Sequence, residues 1–427
     1  MKTINEKLEK LKNELKNRKV RIMIIGLGSV GNYLLDYLVS MADENMEICV
    51  VGRNEEKMNS DVNIVKVASL IRGQNKCQVK INATVDLNDI KGIEHAIECF
   101  VPDIIVNSSR AYSGLKYGSI SWKTVRAYGI WSPLSIRYTK NIMEAYERTG
   151  SDAIVINTSY SDVVIPWLKS AGKAYPDFGS GNINHLVYRF KLAAGNILSI
   201  RDFWNIDITF AVAHFHDVCI SKEGHTEGVP MLIDMRYHDS PLPLGIDKII
   251  SNCNIPMPVD AKRNMMNASS NFEIIQAILG AVRTGKKTKL HCPGVFGEIG
   301  GYPVIIDGSG ESPRAYIDET VFSLEEMRKK NKESIYLDGI ENVQDGVLVY
   351  TNELLQKVLP VPKPVIVHDA WIGCWGYLLG SYVSINDELI DYRVHGKNVS
   401  IGTRNRFYYK ILYRLQICYC LFKRSFF

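Results

Sequence analysis

Apolar positions in the chain fall into two rhythms. Ile4, Leu8, Leu11 and Leu15 recur at helical spacing with Lys and Glu between them, which predicts a short helix within residues 1–20 carrying one apolar stripe, packed on its own chain or on a partner. Residues 21–53 then read as strand, turn, helix and strand. Arg21 to Ile25 is nearly continuous in apolar character, Tyr33 to Met41 is helical, and Glu47 to Val51 is a second apolar run. Such uninterrupted runs suit strands buried on both faces of a parallel sheet. Asp103 to Val106 and Asp152 to Ile156 are further strand candidates, each preceded by a helical stretch. The alternation predicts a doubly wound sheet over 21–158, with its ligand crevice at the carboxyl ends of the strands. Helices and Gly-rich turns mix in a second region, 159–345. The Pro-rich stretch Leu359 to Pro364 lies in a third, 346–427.

Between the first strand and its helix stands Gly26-Leu27-Gly28-Ser29-Val30-Gly31. A glycine triplet at this spacing is informative only in this context, between strand and helix of a βαβ unit. The first glycine permits the tight turn, the second lets backbone amides approach a pyrophosphate, and the third lets helix and strand pack closely. The helix start adds unpartnered N–H groups and partial positive charge. Together with Ser29 and Val30 these glycines are the expected cofactor cradle of a Rossmann-type α/β fold with a second α+β domain and a small carboxyl-terminal appendage. About twenty residues on, where an acidic side chain ordinarily takes the ribose hydroxyl of NAD, the chain reads Val51-Gly52-Arg53-Asn54. Glycine removes the carboxylate that would repel a 2′-phosphate, and Arg53 is able to pair with one, so NADP is favoured over NAD.

Composition narrows the classes without naming one. Hydrophobic residues at 46% and charged residues at 23% are those of a globular protein, and no apolar run is long enough to span a bilayer. The first twenty residues lack the apolar core of a signal peptide. Nine cysteines are scattered, with no Cys-x-x-Cys pair, so neither a disulfide framework nor a metal knuckle is expected and a reducing, cytoplasmic compartment fits. A net charge of +5 is too mild to argue for nucleic acid.

From about residue 21 to 345 the chain resembles the lactate/malate dehydrogenase family. The resemblance rests on the glycine turn, Val155 to Asn157 followed by Asp162 to Leu168, Gly179-Ser180-Gly181-Asn182-Ile183, Gly297 to Ile306, and Phe322 to Met327. It implies a small-molecule substrate and hydride chemistry, in which a histidine of near-neutral pKa exchanges a proton with the substrate oxygen. An aspartate orients that histidine, and an arginine three residues later clamps a carboxylate. His214 matches the histidine best, with His216 as runner-up. The aspartate's place falls on Asn184 and the arginine's on Val187, while Arg189 lies two positions late. Asn157 matches the asparagine on the nicotinamide side, and Arg110 is the candidate for the loop arginine. Losing a bidentate arginine forfeits about 1.5–3 kcal/mol. Ordinary lactate or malate turnover is therefore not expected. A reductase for another substrate and a catalytically silent cofactor-binding module both remain open, as does homo-oligomer formation.

Residues 346–402 resemble something different. His368-Asp369-Ala370-Trp371 and Tyr392-Arg393-Val394-His395, with the segments around them, look like the acceptor-side end of family-2 inverting glycosyltransferases. That resemblance implies Asp369 as general base, with Arg393 and His395 near a sugar-nucleotide phosphate. The donor-binding half of such an enzyme is missing upstream, so a glycosyltransferase fragment or fusion is the third reading. Residues 401–427 hold Arg404, Arg406, Lys410, Arg414, Lys423 and Arg424 among aromatics and no acid, which suits either membrane-surface contact at the cytoplasmic face or packing on the chain itself.

Overall fold

The apolar runs become a parallel sheet. The computed structural model describes residues 2–110, 132–213, 220, 224–226, 228–258, 260–337 and 407–426, and ten positions between 358 and 378. Six strands, β1 (Val20–Ile25), β2 (Met46–Val51), β3 (Gln78–Asn82), β4 (Ile104–Asn107), β5 (Ile154–Asn157) and β6 (Phe178–Gly179), lie in the order 3-2-1-4-5-6. Every pairing among them is parallel. β1, β2, β4 and β5 are the runs expected from sequence. β3 was not read, because its residues alternate polar and apolar at a sheet edge, where one face stays wet.

Helices α2 (Ser29–Ser40), α3 (Glu55–Ile71), α4 (Ile90–Phe100) and α5 (Ser132–Arg148) connect these strands. Chain order reverses between β1 and β4, and the carboxyl ends there open the crevice such sheets use for ligands. Helices α6 (Ser161–Ser170) and α7 (Asn182–Leu198) lead into the second half of the same unit. Two antiparallel sheets follow, β7 (Asp207–Ala211) with β8 (Leu232–Tyr237) and β9 (Ser240–Pro241), and β10 (Lys287–Pro293) with β11 (Gly301–Asp307) and β12 (Arg314–Ile317). Helices α8 (Ile246–Ser251), α9 (Asn264–Thr284) and α10 (Leu324–Leu337) complete it. α9 crosses back to pack on α2, where Phe272 meets Tyr37 with ring centroids 5.7 Å apart.

The amino-terminal stripe packs on its own chain. α1 (Ile4–Glu14) opens with a reciprocal capping box between Thr3 and Glu6, and Leu8 and Leu11 are buried. Burying two leucines stabilises the unit by roughly 3–5 kcal/mol. Lys7 lies on the same face, where a solvated lysine would be expected from sequence. Its ammonium sits 2.8 Å from Asp177, whose carboxylate also accepts the Val155 N–H at 2.8 Å. Burial opposes the Lys7 charge, but the carboxylate outweighs it and holds the lysine pKa above its ordinary value. The bridge ties α1 to the β5–β6 connection.

The chain divides into two compact units, Met1–Asp338 and Gly339–Phe427. The second gathers Val358, Val365, Trp371 and Trp375 around Ile417 and Cys420 of α11 (Phe407–Phe426). The Trp371 indole donates to the Val358 carbonyl at 3.1 Å and meets Trp375 edge-on. Within the first unit, Lys7→Ala strands a buried carboxylate, and urea unfolding should show a loss of about 3–5 kcal/mol. A loss below about 1 kcal/mol would remove the bridge from the account of α1.

Candidate functional site

Gly26 leaves β1 with φ of +91°, a backbone region that side chains disfavour, and its N–H is held by the Val51 carbonyl at 2.9 Å. Ser108, just past β4, braces the turn by donating its hydroxyl to the Gly26 carbonyl at 2.6 Å. A Cβ on Gly31 would stand 2.2 Å from that same carbonyl oxygen, so helix and turn pack as closely as backbone allows. Gly28 caps α2, and no side-chain hydrogen bond closes the helix start. A Cβ there would meet nothing within 4 Å. The first-turn amides of Ser29, Val30 and Gly31 lack intrahelical acceptors, and in front of them lies a cleft of about 490 Å³.

Around that cleft stand Arg53, Lys57, Asp86, Arg110 and Asn264. Arg53 is 72% exposed and lies 3.8 Å from Asp86. The Asn88 backbone N–H, with smaller help from Arg53, holds the Asp86 carboxyl below its usual range. Asn54 accepts from the Lys57 N–H and so starts α3 beside the cleft. Gly52 passes close under Met58, whose sulfur would lie 2.8 Å from an added Cβ. Asn264, at the start of α9, donates to the Ser29 hydroxyl and reaches the glycine turn from the second half. Lys57, Asp86 and Asn264 were not singled out from sequence. Asn264, Asn267 and Asn271 form a polar line along one helix face, a signal that was available there.

Asn157 is wholly buried at the end of β5. Its amide oxygen accepts from Asn107 at 2.9 Å and Thr139 at 3.1 Å, and its amide nitrogen donates to the Ser159 carbonyl and the Ser161 hydroxyl. All of its polar capacity is engaged within the protein. What the side chain supplies to the crevice is therefore position: it locks the ends of β4 and β5 together.

At the place of the family's aspartate, Asn184 is buried and donates to Glu273 of α9. Tyr188, one turn further along α7, donates its hydroxyl to the other oxygen of the same carboxylate. A carboxylate is thus present beside position 184, supplied from another helix. Burial raises the Glu273 pKa above its ordinary value, against the pull of Tyr188 and Asn184. Burial likewise raises Tyr188, and Glu273 adds to it.

Val187 is buried in an apolar cluster and offers no cation. Arg189 is buried, with its guanidinium against the sulfurs of Met257 and Met266. Arg110 lines the cleft and is exposed. His291 on β10 was not singled out; burial pushes it down to about 3, and its Nε2 accepts the Phe210 N–H at 3.2 Å. It is neutral at physiological pH. His214, His216, Asp369, Arg393 and His395 lie outside the described residues.

A strand-order 3-2-1-4-5-6 sheet with an open glycine turn, joined to an antiparallel second half, is the dehydrogenase-type Rossmann fold. Solved structures share it. The malate dehydrogenase of Cryptosporidium parvum matches with a TM-score of 0.52 at 12% identity, over 77% of this chain and 100% of that one. The lactate dehydrogenase of Eimeria maxima, solved with NADH and oxamate, matches with a TM-score of 0.50 at 14% identity, over 77% and 94%. Malate dehydrogenase from Salinibacter ruber matches with a TM-score of 0.50 at 13% identity, over 76% and 98%. The first unit therefore has the lactate/malate dehydrogenase fold. No protein-family model matches the chain, and no curated protein does.

Two glycine variants separate cradle from scaffold. Gly28→Val should cost the fold no more than about 1–2 kcal/mol yet weaken dinucleotide binding at least tenfold, read by thermal unfolding and calorimetry. Gly31→Ala should destabilise by about 2 kcal/mol or more, because the new methyl meets a carbonyl it has no room for. For Glu273, the folded pKa lies above the unfolded one, so its contribution to stability is full below the ordinary 4.5 and falls as pH rises through the raised value. Glu273→Gln should flatten that decline above about pH 4.5 in denaturant titrations. An unchanged pH profile would mean the carboxylate is not the buried charge described.

Proposed function

We propose that the first unit is an NAD(P)-dependent oxidoreductase that interconverts a carbonyl and a hydroxyl on a small molecule other than lactate or malate. The observation that carries this reading is the bare start of α2: open space at Gly28 faces the first-turn amides across a cleft large enough for the diphosphate of a dinucleotide. The backbone of residues 28–31 would hold the pyrophosphate. NADP is the preferred form. Gly52 offers no carboxylate, and Arg53 lines the same cleft beside Lys57, whose ammonium is paired with Asp61. Among the described residues the Arg53 ion pair is the loose one to Asp86, at 3.8 Å, which a phosphate would displace. When bound, the nicotinamide supplies or accepts the hydride.

The remaining work belongs to this chain's own residues. Asn157, Asn107 and Thr139 fix the ends of β4 and β5, which would support the nicotinamide side of a bound cofactor. His214, by its place in sequence, exchanges the proton with the substrate oxygen. Asn184, backed by Glu273, occupies the orienting position. Position 187, where the resemblance implies the carboxylate clamp, is an apolar valine, which supports a neutral or bulkier substrate over a small 2-oxo acid.

Calorimetric titration of the full chain with NADPH and NADH tests the reading, with NADPH expected to bind about tenfold more tightly. Arg53→Ala should weaken NADPH by about tenfold or more, the loss of one charge-assisted pair, and leave NADH nearly unchanged. Absence of binding by either cofactor at millimolar concentration would refute the proposal. With a turnover substrate in hand, His214→Ala should lower the rate at least 100-fold without changing cofactor affinity.

A further inference from the structure

Helix α11 (Phe407–Phe426) carries two apolar faces where one would suffice. Ile417 and Cys420 are buried in the core of the second unit, and the Arg424 guanidinium on that side donates to the Val358 carbonyl at 3.3 Å. The opposite side presents Leu415, Tyr419 and Phe422, which are 61%, 65% and 63% exposed. Their spacing of four and then three residues places them on one line along the helix. At about 100° per residue, Arg414 and Lys423 fall on opposite flanks of that line, and both are exposed. Residues 401–427 contain six Lys and Arg and no Asp or Glu.

We propose that the Leu415–Tyr419–Phe422 face seats on an anionic lipid bilayer, with the helix lying in the plane of the interface. The chemistry fits each part of that surface. Three large side chains in a row bury apolar area among the first acyl carbons, while the Tyr419 hydroxyl stays at headgroup level. Arg414 and Lys423, one on each side, reach the phosphates and carboxylates of the headgroups. A protein partner complementary to this surface would have to supply acids along both flanks of an apolar groove. An anionic membrane supplies them everywhere. No described helix of the chain is long and apolar enough to cross a membrane, so the contact is one of lying on the surface. The proposal does not rest on the oxidoreductase reading.

Flotation of the full chain with vesicles of phosphatidylcholine, alone or mixed with phosphatidylserine, tests it. Binding to the mixed vesicles is expected, weakening as salt is raised. Arg414→Gln with Lys423→Gln should reduce partitioning about 30-fold, the equivalent of roughly 1 kcal/mol per cation. Leu415→Ser, Tyr419→Ser and Phe422→Ser together should abolish it. All five positions are exposed, so both variants should keep the parent's circular dichroism and melting curve, and variants that do so make the reading direct. Failure of the parent chain to float with mixed vesicles would overturn the proposal, as would unchanged flotation of the triple serine variant. Sedimentation velocity without lipid provides the other arm: self-association that the triple variant removes would assign the face to a second copy of the chain.

Discussion

Everything at the crevice depends on how closely α2 approaches the turn before it. The Gly26 carbonyl lies so near Gly31 that a methyl group there would sit at 2.2 Å, and Ser108 clamps the same oxygen from the β4 side. That approach brings the amino end of α2 over the strand ends and leaves its first amides facing the cleft. A carboxylate or hydroxyl at position 28 would have capped those amides from within. Glycine leaves them facing the cleft, at a cost of only a few tenths of a kcal/mol, on the order of 0.3, relative to a capping side chain. Local stability is given up at the one place where a polyanion would return it.

The second half departs from the dehydrogenase pattern while keeping its frame. Asn184 and Val187 stand on α7 where the resemblance in sequence implies an aspartate and an arginine, yet the region is not merely neutral. Glu273 arrives from α9 and accepts from both Asn184 and Tyr188. The same helix sends Asn264 to Ser29 at the glycine turn and packs against α2. α9 thus joins the cleft at the glycine turn to the Asn184 region along one element. A buried carboxylate is costly to keep, and the two hydrogen bonds it accepts offset part of that cost.

Much of the fold was legible in the sequence because parallel strands buried on both faces leave unbroken apolar runs, as in β1, β2, β4 and β5. The helix after β1 begins at Ser29, earlier than Tyr33, because Gly28 ends the turn. β3 escaped because an edge strand alternates. Lys7 escaped for another reason: a lysine between Glu6 and Leu8 looks solvated until Asp177, 170 residues away, is brought beneath it. Glu273 was hidden in the same way, 89 residues from Asn184. Asn157 was read from sequence as facing the nicotinamide, whereas in the packed structure its amide is spent on Asn107, Thr139, Ser159 and Ser161. Local spacing reports elements and turns; partners across the chain are set by topology.

The most direct test of the account is a crystal structure of the full chain grown with NADPH. The pyrophosphate should lie within hydrogen-bonding distance of the backbone amides of residues 28–30, with the 2′-phosphate beside Arg53. Density for the cofactor elsewhere, or a glycine turn filled by the chain's own side chains, would contradict it.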